Sequence, residues 1–188
     1  MDVLNLKTES LGGAKYLLVL VDQFSGFLEI YAQKHIHPTT GEVSIPHSIC
    51  VVKNSFTKSV STLRADLGAE FVTKKLEALC REEGIWPELA ATATPMHNGQ
   101  VERANRSIGE AMKAMLLESN LQGRFWAEAA SMCVHVHNLL PRKNLKGRSV
   151  WWVFTGKREP QLPRFSFGQK VNFWTQPTAG SKLRPRRQ

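Results

Sequence analysis

The chain has 188 residues, 42% of them hydrophobic, and a formal net charge of +9. That length supports one domain with a real core, or one domain and an appendage. No apolar run approaches the roughly 20 residues that span a bilayer, no secretory signal opens the chain, and the three scattered cysteines (Cys50, Cys80, Cys133) form no CxxC, which excludes a disulfide framework or a zinc knuckle and points to reduced thiols in an intracellular protein.

Taken in chain order, residues 1–6 suit a strand. KYLLVLV (15–21) is a β-branched apolar run between turns, and FLEIYA (27–32) is a second one after a five-residue turn. Together they predict an antiparallel hairpin. Residues 35–58 have no clear period, because Pro38, Gly41 and Pro46 interrupt it. VSTLRA (60–65) reads as a strand ending at Asp66. A helix over 73–83 follows, capped by Thr73 and closed by Gly84. Trp86 to Ala91 suits a short strand. Pro95 precedes a helix that begins near Asn98, and another helix over 124–140 turns Trp126, Ala129, Ala130, Cys133, Val136 and Leu140 inward before Pro141 stops it. Hairpin strands followed by alternating helices predict an α/β domain with a mixed sheet.

Charge is unevenly spread. Residues 1–141 carry 13 Lys and Arg against 15 Asp and Glu, whereas residues 142–188 carry 12 against the single acid Glu159. A near-neutral body with a basic quarter rich in Trp and Phe points to a polyanion, most simply nucleic acid. The terminal SKLRPRRQ suits a nuclear-localisation or phosphate-binding patch. A zinc set of His35, His37, His47 and Cys50 matches no common spacing, and His135 and His137 stand too close in sequence to share a helical face.

On the helix near Asn98, Val101, Ala104, Ile108, Ala111 and Met115 form the core stripe, and Glu102 lies roughly 150° from its centre. Glu102 heads an outward row with Arg106, Gly109 and Lys113. By itself it reads as a first-turn acid favoured by the helix dipole and paired with Arg106 at i,i+4. Its company changes that reading. Asp66 ends a strand, Asp2 sits in the first strand, and 35 residues separate Asp66 from Glu102. Three carboxylates on two strands and a helix can converge on hard divalent cations. Two such ions about 3.5–4 Å apart can serve an in-line phosphoryl displacement.

These blocks (YLLVLVDQFSGF, LRADLGAEF, TPMHNGQVERANRSI, FWAEAA, HNLLP and FTGKREPQLPRFSFGQKV) resemble the integrase catalytic core of copia-type retrotransposons, relatives of the retroviral integrases. The resemblance covers nearly the whole chain. It implies a ribonuclease H-like fold, with a mixed five-stranded sheet flanked by helices. It also implies a catalytic core over 1–141, its first strand clipped, followed by a basic aromatic extension over 142–188. The catalytic and metal-holding acids fall on Asp2, Asp66 and Glu102, with two Mg²⁺ or Mn²⁺ ions as cofactors, and Asp22 falls outside this set. Arg106 matches a DNA-contacting position. Arg103, Lys113, Arg142, Lys143, Lys146 and Arg148 complete the expected DNA contacts. The implied activity is DNA strand transfer, with 3′-end processing where needed, by a homo-oligomer on element ends and target DNA in the nucleus, as part of a larger Pol polyprotein. The rival readings are a catalytically inactive remnant that only binds nucleic acid, and a nuclease that cuts without joining. The pattern departs from the family at Gly26, Leu67, Ala69 and Gln169.

Overall fold

The computed structural model describes residues 1–35, 59–66, 74–90, 95–162 and 165–172; the side chains of residues 66, 75, 89, 90 and 95–98 are outside the description. The irregular 36–58 segment, the Thr73 cap, most of the candidate zinc set and the terminal basic run fall outside these residues.

Strands β1 (Asp2–Asn5), β2 (Tyr16–Val21) and β3 (Leu28–Gln33) form an antiparallel meander, with Asp2 opposite Val19 and Val21 opposite Leu28. The tight β2–β3 turn follows from its sequence. Asp22 Oδ2 accepts from the Ser25 amide and hydroxyl at 2.8 and 2.6 Å, and Gly26 takes φ +75°, a conformation glycine adopts at no steric cost. Asp22 is thus a turn residue, consistent with its exclusion from the candidate triad. Strands β4 (Thr62–Asp66) and β5 (Trp86–Ala90) pair in parallel, joined by helix α1 (Lys74–Glu83) and by Gly84 at φ +66°. The Met1 nitrogen donates to the Arg64 carbonyl at 2.6 Å. That contact brings the start of β1 to β4 and links the three-stranded sheet β1-β2-β3 to the two-stranded sheet β4-β5.

Strand alternation gives the sheet two apolar faces. One face presents Leu17, Val19 and Leu28 to helix α2 (Pro95–Glu118), through Val101, Ala104, Ile108 and Met112, and to helix α3 (Trp126–Leu139), through Trp126, Ala129, Ala130 and Val134. The other presents Leu18, Leu63 and Ala65 to Leu76 and Cys80 of α1. The result is a three-layer α/β domain, the mixed sheet with flanking helices expected from the sequence.

Two helix expectations are corrected. Helix α2 starts at Pro95, not near Asn98. Proline fits a first helical position, since its missing N–H has no partner there and its φ is already set. In α3, Leu140 lies beyond the last turn and is 45% exposed, while buried Asn138 takes the inward position. Its amide accepts from Leu28 N at 3.0 Å and donates to Leu28 O at 2.8 Å. An α3 side chain therefore satisfies the backbone of β3, the strand at the sheet edge.

Beyond α3, a short 3₁₀ turn (Lys143–Leu145) leads to helix α4 (Val150–Thr155), whose Ser149 cap accepts from Trp152 N at 3.0 Å. Phe154 stacks on Phe27 with ring centroids 4.2 Å apart, fixing α4 against the β2–β3 turn. Phe167 packs onto the α2–α3 core, and Gly168, at φ +74°, lies so close to Ser119 that a Cβ has no room there.

Candidate active site

Asp2 and Leu4 share a face of β1, and Leu4 packs into the cluster formed with α2 and α3. Asp2 therefore meets α2. Its Oδ2 accepts from Asn105 Nδ2 at 2.6 Å, and its Oδ1 accepts from the Val3 amide at 2.7 Å. Both oxygens are held, which fixes the carboxylate's rotation. Asn105 stands one turn after Glu102 on α2. Residues three apart on a helix have Cβ atoms about 5–6 Å apart, so the helix brings Glu102 alongside the group that touches Asp2.

Asp66 stands on β4. It is the last residue of that strand and pairs with Ala90 of β5. The Met1–Arg64 contact lies one residue from Asp2 and two from Asp66, so the two acids belong to neighbouring backbone segments at one junction of the sheet. Among the described residues no group of three or more His, Cys, Asp or Glu gathers to hold a metal, and the Asp66 side chain lies outside them. The donor chemistry present fits a hard cation. Carboxylate oxygens are the ligands such ions take.

Glu102 is exposed. With α2 starting at Pro95, Glu102 lies in the second turn, and the first turn holds no acid. The dipole explanation for this acid is thereby overturned, because that field decays within the first turn. The expected Glu102–Arg106 ion pair is also absent among the described residues, where salt bridges join Lys15 to Glu9 and Arg64 to Glu88. Both structural reasons for an acid at this position fall away. The core stripe stands as expected at Val101, Ala104 and Ile108, with Met112 buried and Met115 half-buried below them.

Arg103, Arg106 and Lys113 extend from the exposed side of α2, and Lys143 and Lys146 are exposed after α3. Arg142 and Arg148 have partners within the protein. Arg142 Nη2 lies 2.7 and 3.1 Å from the two ring nitrogens of His137, whose Nε2 is also 3.3 Å from the Gly26 carbonyl. Burial first, then the Arg142 charge, hold the His137 pKa below the usual imidazole value. The Arg148 guanidinium lies 4.0 Å over the Trp152 ring. Burial raises the Cys80 and Cys133 thiols, which suits inert core residues. A cavity of about 570 Å³ opens between the β2–β3 turn and the start of β4, with Met1, Arg64 and Phe154 in its wall. Glu29 also lines it, and burial raises that carboxyl's pKa.

Sequence reasoning missed Asn105 and Asn138. Both are polar residues inside helical patterns whose apolar positions carried the signal. Asn105 was within view, since it belongs to the same ERANR run as Glu102.

Comparison with known proteins places this geometry. No family model matches the chain. The chain is 32% identical over 152 residues to the Pol polyprotein of transposon TNT 1-94 from Nicotiana tabacum, an alignment that covers 81% of the chain and 11% of that protein. It is 33% identical over 153 residues to the Gag-Pol polyprotein of avian reticuloendotheliosis virus, covering 81% of the chain and 12% of that protein. The chain thus spans about a tenth of the length of these relatives. Among solved structures, the HTLV-2 integrase catalytic core domain in complex with magnesium superposes with a TM-score of 0.61 at 21% identity, covering 81% of the chain and 92% of that one. The BIV integrase catalytic core gives 0.59 at 20%, covering 82% and 90%. A chain of the simian T-cell lymphotropic virus intasome bound to the PP2A subunit B56 gamma gives 0.65 at 18%, covering 99% and 64%.

Proposed function

Because the chain is a homologue of retrotransposon and retroviral Pol polyproteins and has the ribonuclease H-like fold of their integrase catalytic cores, we propose that it catalyses DNA strand transfer with Asp2, Asp66 and Glu102 as its acidic centre. One observation carries the reading. A single junction joins β1 to β4 through Met1 and Arg64, and joins β1 to α2 through Asp2 and Asn105, so the three acid-bearing segments meet there.

In this reading Asp2, Asp66 and Glu102 hold two Mg²⁺ or Mn²⁺ ions. When bound, such ions activate the attacking 3′-hydroxyl or water and stabilise the leaving oxygen of the phosphodiester. The protein's own part is positional. The sheet holds Asp2 with both oxygens engaged before a cation arrives. Helix α2 offers Glu102 free of an arginine partner, so its carboxylate need not break an ion pair to serve. Arg103, Arg106 and Lys113 lie on the exposed side of the same helix, where their charge holds the DNA backbone without reading its sequence. Lys143, Lys146 and Arg148 extend that contact, and Arg142 follows once it leaves His137. The assembly is a homo-oligomer acting on element ends and target DNA in the nucleus, the core over 1–141 being supplemented by the basic 142–188 region.

The test is strand transfer and disintegration on oligonucleotide substrates with Mn²⁺. Wild type joins strands, and Glu102→Gln falls to background while retaining DNA binding. Equal activity of the two proteins would remove Glu102 from the mechanism. DNA binding by wild type without cutting or joining supports the inactive-remnant alternative, and cutting without joining supports a nuclease.

A further inference from the structure

We propose that Phe24, at the tip of the β2–β3 turn, stacks on an unpaired base of DNA bound at the start of α2. This inference rests on the reading of the protein as a DNA-handling core and names the side chain that grips a base. The turn that carries Phe24 is tied at its base. The Ser25 amide and hydroxyl donate to Asp22 Oδ2, the Ser25 hydroxyl accepts from the Phe27 amide at 3.1 Å, and the Asp22 amide donates to the Phe27 carbonyl at 2.9 Å. Phe27 is 5% exposed and stacks on Phe154. Phe24, three residues earlier, is 86% exposed. Single exposed apolar residues are ordinary, but this ring is held out by a fixed support, so little conformational entropy is lost when something stacks on it.

The surroundings of the turn favour a nucleotide. Gln100 Nε2 lies 3.4 and 3.5 Å from the Gln23 and Asp22 carbonyls, which sets the turn against α2 two residues before Glu102. Two guanidinium groups stand near these anchors. Arg142 Nη1 lies 3.7 Å from where a Cβ on Gly26 would be, and Arg103 Nη1 lies 3.5 Å from where a Cβ on Gly99 would be. The acid of the turn, Asp22, commits a carboxylate oxygen to Ser25. An aromatic face with cations close by suits a nucleic-acid strand, because the cations take phosphates and the ring takes a base. Bases inside a duplex have both faces covered by their neighbours, so the base that meets Phe24 is one at a frayed end or out of the stack. Stacking of this kind tolerates any base, since each has a π face. Phe24 therefore adds grip on opened DNA without choosing its sequence.

Removing an aromatic side chain that stacks on one base weakens binding about 5–150-fold. The experiment is fluorescence anisotropy with the whole chain in metal-free buffer, where binding is read apart from chemistry. The probes are a duplex with a short unpaired end and the same duplex with abasic sites in place of the unpaired nucleotides. A third probe carries 2-aminopurine in the unpaired end, whose fluorescence is quenched on stacking. The proteins are wild type, Phe24→Ala, Phe24→Leu and Phe24→Trp. Wild type is expected to bind the base-bearing end more tightly than the abasic end by that margin, and to quench 2-aminopurine. Phe24→Ala and Phe24→Leu should lose both the preference and the quenching while keeping the abasic affinity, and Phe24→Trp should retain both. Because Phe24 is exposed, the melting temperatures of the variants should match wild type. A wild type with no preference, or a Phe24→Ala that weakens both probes equally or neither, overturns the stacking role. The catalytic reading fails separately: a protein that prefers the unpaired base yet joins no strands with Mn²⁺ keeps this inference and loses that one.

Discussion

His137 shows how one side chain couples the β2–β3 turn to the segment after α3. Its Nε2 lies near both the Gly26 carbonyl and the Arg142 guanidinium, and burial and that guanidinium disfavour its charged form. A base whose folded-state pKa is lowered binds its proton more readily when unfolded. Stability is therefore level above the ordinary histidine pKa of about 6.5 and declines as pH falls through that value toward the lower folded one. Urea midpoints measured from pH 7.5 to pH 5 should fall for wild type and fall less for His137→Gln. A parallel decline in the two proteins would show that another group carries the acid sensitivity. At this scale the sequence offers Asp2, Asp66 and Glu102 as candidates by type, spacing and family resemblance, and that resemblance leaves Asp22 outside the set; the structure adds the turn that Asp22 closes. What hid Arg142 and Asn105 was their partners. Arg142 reads as a free cation until α3 ends and turns it back onto His137. Asn105 reads as one more polar residue on a helix until β1, 103 positions earlier, comes to lie against it.

The elements follow the patterns that physical chemistry imposes most strongly. The 15–21 run becomes β2 because its apolar residues are buried on both faces, Leu17 and Val19 against α2 and α3 and Leu18 in the cluster with α1, and the 27–32 run pairs beside it as β3. The start of α2 was misplaced by three residues for a local reason: Pro95 ends a preceding segment or opens a helix equally well, and only the backbone beyond it decides. Asn138 is a larger omission, since it replaces a ladder partner for β3. Its amide bonds both the N–H and the C=O of Leu28, and removing it strands two buried backbone groups. Asn138→Leu should cost about 2–6 kcal/mol, from roughly 1–3 for each of the two unsatisfied groups. The loss is read from the urea midpoint at constant slope. An effect below about 0.5 kcal/mol would mean that water or a shifted strand replaces the amide.

Across the whole molecule, the two apolar clusters divide the labour. One binds the β1–β3 meander to α2 and α3, and the other ties β4 and Ile85 to α1 and reaches back to Met1 and Leu18. The seam between the meander and the β4–α1–β5 unit runs along β1, where Met1 meets Arg64. That arrangement gives the acidic centre a property no single residue carries. On the proposed reading, local opening of β4–α1–β5 would part Asp66 from Asp2 without unfolding either half, and the site would exist only in the closed population. A cation bridging the proposed acids would act as a clasp across the seam, its binding linked to closure. Amide hydrogen exchange should report this directly. Mn²⁺ is expected to slow exchange at Arg64 and Ala65 together with Val3 and Leu4, while amides deep in α3 keep their rates. Slowing confined to one side of the seam would mean that the ion sits on a single half. On that reading the cation would have a second role beyond chemistry: it would set how much of the time the two halves of the domain are a single object.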